Sequence, residues 1–142
     1  MDRAPGSGAA VEGIIAGVCV QGIVDLLDTE GRIIDFKTAA RRPVGITPDY
    51  NLQLTTYSMI TPGASGFCRL DTVTKTKTVQ LVQQSCEIGA EERRYAETLY
   101  PMLQEDMRDG IYPPRRSSPV CSRRYCGCWR ECEREFGGRI EE

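Results

Sequence analysis

Residues 22–38 read GIVDLLDTEGRIIDFKT, and this stretch predicts a β-hairpin. Apolar and largely β-branched runs flank the turn sequence DTEG, in which Gly31 suits a left-handed backbone conformation. A three-residue loop over residues 29–31 would pair Asp28 with Arg32. A two-residue loop would instead stagger the strands and separate the acidic residues that they carry.

The three-residue loop brings two carboxylates together. It places Asp25 directly opposite Asp35, and the alternation of a strand sends both to one face together with Lys37. Like charges in opposite positions destabilise a sheet, so a divalent cation between them is expected, and oxygen ligands favour Mg²⁺ or Mn²⁺. The alternative is a solvated sheet face, but the surrounding apolar residues indicate burial, where carboxylates need partners.

The composition is that of one folded domain. The chain has 142 residues, of which 40% are hydrophobic and 27% charged, and its net charge of −2 gives no global attraction to nucleic acid. It contains no histidine, which excludes Ser-His-Asp triads and His-bearing zinc sites. No apolar run approaches the roughly 18 residues of a membrane span, and the start lacks the pattern of a signal peptide. The sequence therefore predicts an intracellular, cytoplasmic protein without membrane contact.

The remaining pattern predicts a mixed α/β domain. Residues 1–12 are small and polar and predict a disordered leader. The runs IIAGVCV, GIVDLL and RIIDFKT predict three strands, and Thr47 before a proline predicts a helix over residues 48–60. GFCRLDTVTK and KTVQLVQQS predict a second hairpin, and residues 88–109 a helix that Pro101 interrupts. This order of strands and helices is typical of a mixed sheet with helices beside it.

These motifs together resemble the PD-(D/E)XK nuclease superfamily. In that family an aspartate ends the first motif, matched by Asp25, and a (D/E)-x-K motif follows, matched by residues 35–37. The RecB-like branch, which includes the CRISPR-associated RecB-like nucleases, carries Q-x-x-x-Y on a downstream helix, matched by Gln53 and Tyr57. D-x-K alone is a weak signal, whereas these motifs in this order, followed by a cysteine-bearing tail, are a strong one. The resemblance covers roughly residues 13–134.

The resemblance implies a restriction-endonuclease-like fold, a central mixed sheet flanked by helices, with a nuclease core over residues 13–112. It implies hydrolysis of DNA that depends on Mg²⁺ or Mn²⁺, held by the carboxylates of Asp25 and Asp35 and the carbonyl of Phe36. Lys37 would position the attacking water and offset the charge of the transition state. The implied catalytic set is Asp25, Asp35, Lys37, Gln53 and Tyr57. From spacing alone, Gln53 as a surface residue and Tyr57 as a core residue is the simpler interpretation.

The chain departs from the family at its start. RecB-like nucleases usually begin with a helix that carries a further acid or histidine of the active site, whereas this chain begins MDRAPGSGAA. We therefore expect an N-terminally truncated nuclease. The alternative is a catalytically inactive fragment that binds DNA or a partner protein through a metal-stapled tail.

The tail, residues 113–142, is rich in cysteine and arginine. Four cysteines suit a [4Fe–4S] cluster or, equally, zinc; the alternative is a reduced tail without metal. They are Cys121, Cys126, Cys128 and Cys132. Basic and aromatic side chains in the same segment predict contact with DNA phosphates and bases, unless they form only a solvated face. These are Arg123, Arg124, Trp129 and Arg130. The implied partners are single-stranded DNA or duplex ends and a helicase or recombination protein, in recombination, repair or phage-type DNA processing.

Overall fold

The computed structural model describes residues 8–116, 118 and 120–141. Contacts divide the chain into two compact units, Met1–Gln104 and Glu105–Glu142. Within the described ranges, no helix is both long enough and apolar enough to cross a membrane. The predicted division into a nuclease core over residues 13–112 and a tail over residues 113–142 stays a prediction.

From residue 8 onward, where the structure describes it, the first unit contains six strands and one complete helix. In chain order they are β1 (Ala9–Ile15), β2 (Val18–Val24), β3 (Leu26–Leu27), β4 (Ile33–Ala39), α1 (Pro48–Ile60), β5 (Phe67–Thr74) and β6 (Leu81–Glu87). Strands β1 and β2 form an antiparallel pair, and the other four form a sheet in the order β3-β4-β5-β6. Only β4 and β5 are parallel in that sheet. The mixed α/β class that the sequence predicts is confirmed.

The central hairpin has the predicted loop. Asp28 N–H donates to Arg32 O at 3.0 Å, Gly31 N–H donates to Asp28 O at 3.1 Å, and Gly31 has φ of +74°. Leu26 pairs with Ile34. These contacts confirm the three-residue loop, because the two-residue alternative would shift the register.

The first hairpin differs from the sequence prediction. The run IIAGVCV was predicted as one strand, but it contains the turn between β1 and β2, where Ala16 and Gly17 both have positive φ. Two consecutive residues with positive φ form the kind of tight turn that joins the strands of a β-hairpin. The turn was not recognised in the sequence because mainly apolar residues surround it. The predicted disordered leader is also wrong for residues 9–12, whose backbone pairs with β2. Residues 1–7 lie outside the described part of the chain.

Helix α1 begins where the sequence predicts. Thr47 Oγ1 accepts a hydrogen bond from Tyr50 N–H at 3.4 Å, and Pro48 occupies the first turn, where its missing N–H removes no bond. The helix covers one face of the sheet. Its contact with the strands forms a core that includes Val24, Ile33, Leu54, Cys68 and Ile88.

The strand β4 therefore has two different sides. Ile33 packs with Leu54 of α1, and Asp35, two positions further along, faces the same helix. Phe36 points to the opposite side and is half exposed. This alternation places a carboxylate under the helix.

Helix α2 (Ala90–Arg108) is continuous, with Pro101 inside it, and its first part belongs to the first unit. The second unit also contains α3 (Trp129–Phe136). Ile140 is buried there, and its N–H donates to Glu133 Oε1 at 2.6 Å. The backbone N–H of Ile140 lowers the pKa of Glu133, assisted by the Arg123 guanidinium.

Candidate active site

Asp25 stands at the bend between β2 and β3. Its Oδ2 accepts a hydrogen bond from Phe36 N–H at 2.9 Å. Extending the register of β3 and β4 by one position, from the Leu26–Ile34 pair, places Asp25 opposite Asp35. The observed pairing of β3 with β4 agrees with the register predicted from the sequence, and the role of the two carboxylates stays a prediction.

Asp35 is the most unusual side chain of the site, because it is an acid that is only 2% exposed. Its Oδ1 accepts a hydrogen bond from Gln53 Nε2 at 3.4 Å. Its Oδ2 lies 2.5 Å from Lys37 Nζ, yet within the described residues it receives no hydrogen bond of regular geometry. Burial raises the pKa of Asp35; Lys37 opposes this effect, and the neighbouring Asp25 carboxylate adds to it.

These groups fit a divalent cation. The carboxylates of Asp35 and Asp25, with an incompletely satisfied oxygen on Asp35, form a pair of hard oxygen donors, and the part of the Phe36 carbonyl as a third donor stays a prediction. The described part of the chain brings no three acidic, cysteine or histidine side chains together. Mg²⁺ does not need three, because it commonly binds one or two carboxylates and keeps several waters. The donor set therefore suits Mg²⁺ or Mn²⁺.

Lys37 has a second neighbour that the sequence analysis did not find. Its Nζ lies 5.3 Å from the centre of the Tyr50 ring, in the first turn of α1. A cation over an aromatic face is attracted to it and is held in place. The Tyr50 ring therefore helps to orient the ammonium group that also pairs with Asp35. The contact arises from the packing of α1 on β4, so residue spacing in the sequence does not reveal it.

Gln53 and Tyr57 lie one turn apart on α1, and both are half-buried. Gln53 Nε2 lies 3.0 Å from Tyr57 Oη, while the same nitrogen contacts Asp35. The structure thus brings Gln53 to the acidic centre, and Tyr57 supports it from behind. The simpler interpretation, with Gln53 as an unconnected surface residue, does not fit these contacts.

The four cysteines of the tail are not assembled into a metal site. In the described ranges, which include all four, no three potential ligands of this kind converge. Local backbone hydrogen bonds shape the segment instead: Cys126 N–H donates to Ser122 O, and Cys132 N–H donates to Cys128 O at the start of α3. The geometry therefore does not support the predicted iron–sulfur or zinc site at Cys121, Cys126, Cys128 and Cys132.

The predicted DNA-binding residues of the tail are partly engaged with one another. The Arg123 guanidinium lies 4.4 Å from the centre of the Trp129 ring and also pairs with Glu133 at 3.1 Å. Arg130 lies 5.1 Å from the same ring. Arg124 and Arg130 are exposed, and their contact with DNA stays a prediction. A base that stacks on Trp129 would compete with Arg123 and Arg130 for the same ring.

An open cleft of about 290 Å³ adjoins the site in the first unit. Gln53 and Tyr57 line it on one side and Gly22 on another. Thr56 Oγ1 and Tyr100 Oη, 2.7 Å apart, add a polar pair to its wall. A concave and mainly uncharged surface is therefore linked to the acidic centre through Gln53, which lines the cleft and contacts Asp35.

Comparisons with known proteins agree with this geometry. A family model described as the PD-(D/E)XK nuclease superfamily matches residues 3–133. No curated protein matches the chain significantly. The solved structures that resemble it include SSO0001, with a TM-score of 0.52, and a "Putative exonuclease" from Eubacterium rectale, with a TM-score of 0.57.

The two structural neighbours are distant and longer than this chain. They share 16% and 15% sequence identity with it, in the same order, and the matches cover 80% and 89% of this chain. The chain spans only 52% of the length of each neighbour. At such identities the likeness concerns the fold.

Proposed function

The chain belongs to the PD-(D/E)XK nuclease superfamily, and on that premise we propose that it is a metal-dependent nuclease that hydrolyses phosphodiester bonds of DNA. Its mixed sheet and flanking helices agree with the restriction-endonuclease-like fold that the sequence predicts. One observation carries the proposal: the buried Asp35 carboxylate contacts both Lys37 and Gln53, beside Asp25, whose charge raises the pKa of Asp35.

Asp25, Asp35 and the carbonyl of Phe36 would hold Mg²⁺ or Mn²⁺. Such an ion, when bound, polarises a phosphate oxygen and lowers the pKa of a bound water. The N–H of Phe36 fixes Asp25, and the amide of Gln53 fixes Asp35, so neither carboxylate must reorganise before it binds. This pre-orientation is what a site of this kind needs from the protein.

Lys37 supplies the positive charge of the protein itself. Its ammonium group, beside Asp35 and above the Tyr50 ring, can orient the attacking water and offset the negative charge that develops on the phosphate. Gln53 is held by Tyr57 and keeps its donor nitrogen directed at Asp35. Each of these residues therefore has a role that depends on charge or on a specific hydrogen bond.

We further propose an intracellular RecB-like enzyme, with its core over residues 13–112, that acts as an exonuclease on single strands or duplex ends. The hydrogen-bonded pair of Gln53 and Tyr57 supports this assignment, because it matches the Q-x-x-x-Y pattern of that branch. The name of the Eubacterium rectale neighbour supports the exonuclease mode. The setting we propose is recombination, repair or phage-type DNA processing. The proposed partner is a helicase or a recombination protein.

The test uses end-labelled single-stranded and duplex DNA, with Mn²⁺, with Mg²⁺ and with a chelator. We compare Asp35→Asn, which keeps the shape of the side chain, with Glu97→Gln, the same chemical change at an exposed position of α2. We expect metal-dependent cleavage that Asp35→Asn reduces at least about 100-fold and Glu97→Gln leaves unchanged. A folded protein that cleaves none of these substrates with either metal, or a variant Asp35→Asn that cleaves normally, contradicts the proposal. DNA binding that survives without cleavage would favour the inactive binding module.

A further inference from the structure

Two loops meet at one end of the four-stranded sheet. The loop after β4 spans residues 40–47, and the turn between β5 and β6 spans residues 75–80. Lys75 N–H donates to Ala39 O at 2.7 Å, and Arg42 Nη1 donates to Gln80 Oε1 at 3.2 Å. The parallel pairing of β4 with β5 thus continues into a direct contact between the two loops.

These two loops share a strong positive charge. They carry Arg41, Arg42, Lys75 and Lys77, a set that we call the basic rim, and all four side chains are exposed. Residues 38–48 and 72–86 contain no acidic residue, although the chain as a whole has a net charge of −2. Within the described residues, none of the four is paired with a carboxylate. The rim is therefore a local positive field on an otherwise acidic protein.

The basic rim is close to the acidic centre. Arg41 follows Lys37 by four residues on the continuation of β4, so their Cα atoms are at most about 14 Å apart. One strand of a duplex advances about 3.4 Å per nucleotide along the helix axis. A strand whose phosphate reaches Lys37 can therefore place another phosphate, about four nucleotides away, at the rim.

The turn that carries the two lysines is ordered by its own hydrogen bonds. Gln80 N–H donates to Thr74 Oγ1 at 3.0 Å, and Thr76 Oγ1 donates to Thr78 O at 2.6 Å. A turn with a fixed backbone presents its cations to a ligand without first losing backbone freedom. Because the rim offers cations and threonines and no exposed aromatic ring, it suits phosphates better than bases.

We propose that the basic rim binds the phosphate backbone of the DNA strand that enters the active site, independently of base sequence. This inference rests on the proposed function for the identity of the polyanion, and it assigns the DNA contact to the first unit, at residues that the sequence analysis did not single out. It predicts binding that weakens steeply with salt, because each phosphate contact releases condensed counterions.

The test measures affinity without cleavage, by fluorescence anisotropy of a labelled 20-nucleotide single strand in the presence of a chelator. The double variant Lys75→Glu/Lys77→Glu is compared with Arg94→Glu/Arg108→Glu, which changes the net charge by the same amount on exposed positions of α2. We leave Arg42 unchanged, because its bond to Gln80 joins the two loops. We expect the lysine variant to bind at least 10-fold more weakly, with a slope of log affinity against log salt that is smaller by about 1.4, whereas the control changes little.

The outcomes separate this inference from the nuclease proposal. Three outcomes would overturn the rim as a binding surface. The lysine variant could bind DNA as tightly as the unmodified protein, the control could lose as much affinity as the lysine variant, or the unmodified protein could show no measurable binding. Loss of affinity in the lysine variant alone supports the rim, even if no metal-dependent cleavage is found and the nuclease proposal fails. Cleavage with unchanged affinity in the lysine variant overturns only the rim.

Discussion

Replacement of Gly22 by alanine tests how closely α1 approaches the first hairpin. A Cβ atom at this position would lie 2.6 Å from Cε1 of Tyr57 and 3.3 Å from its Cδ1. Ordinary contacts begin at 3.4 Å, so the ring must move by at least 0.8 Å, the difference between 3.4 and 2.6 Å. Overpacking of this kind destabilises a protein by about 1–3 kcal/mol, and we expect Gly22→Ala to fall in this range.

The same displacement would reach the candidate active site. Tyr57 Oη lies 3.0 Å from Gln53 Nε2, and a shift of 0.8 Å away from that nitrogen would exceed the range of a hydrogen bond. Gln53 would then lose the group that holds its amide toward Asp35. We expect the cleavage rate per folded molecule to fall about 10-fold, which corresponds to about 1.4 kcal/mol.

Two other glycines provide matched controls. A Cβ at Gly13 would lie 2.8 Å from Cβ of Ile60, so Gly13→Ala overpacks the same helix without touching Tyr57. A Cβ at Gly45 meets no atom within 4 Å, so Gly45→Ala should leave stability unchanged or raise it by up to about 1 kcal/mol.

Urea unfolding and cleavage rates together decide this prediction. We expect Gly22→Ala and Gly13→Ala to unfold at lower urea than Gly45→Ala, and only Gly22→Ala to cleave more slowly once folded. An unfolding midpoint of Gly22→Ala equal to that of Gly45→Ala would refute the close approach of α1 to β2. Equal losses of rate in Gly22→Ala and Gly13→Ala would refute the positioning role of Tyr57.

Three further changes have expected outcomes. Tyr57→Phe removes the hydroxyl beside Gln53 but keeps the ring, so steady-state cleavage should fall about 2- to 10-fold with little change in thermal unfolding; an unchanged rate would mean that the bond does not position the amide. Thr47→Ala removes the cap of α1 and should lower the free energy of unfolding by about 0.5–2 kcal/mol in urea, whereas Thr47→Asn should restore it; two equal variants would contradict the cap. Mn²⁺ at 100 times its Kd should raise the free energy of unfolding by about 2.7 kcal/mol, and Asp35→Asn should abolish the gain; stabilisation that persists in the variant would place the ion elsewhere.

The sequence predicted best where local rules decide the structure. The turn DTEG with Gly31 defines the register of the hairpin, and Thr47 before Pro48 defines the start of α1. The sequence-based prediction missed the turn at residues 16 and 17, because Ala16 adopts a positive φ, which alanine rarely does. The same error left the first residues of β1 in the predicted leader, since their partner strand was not recognised.

The candidate site also has features that local sequence predicts and features that depend on how the elements pack. The relation between Asp25 and Asp35 follows from strand register, which local sequence determines. The contacts of Lys37 with Tyr50 and of Asp35 with Gln53 depend on how α1 lies across β4, and residue spacing along the chain does not contain that information. In the tail, four cysteines close in sequence predict a shared ligand, but turns and a helix start orient each of them locally.

The two carboxylates of the centre do not support the metal-site interpretation equally. Asp25 has a sufficient structural explanation without any ion, because it caps the N–H of Phe36 at a bend. Asp35 is only partly explained by its protein contacts: Lys37 and Gln53 contact it, but burial still raises its pKa, and a second carboxylate lies beside it. A buried carboxylate of this kind destabilises the fold unless a cation compensates it, and among the described residues the cation paired with Asp35 is the ammonium of Lys37. We therefore expect that Asp35→Asn, which removes this charge, abolishes binding of the metal but does not unfold the protein.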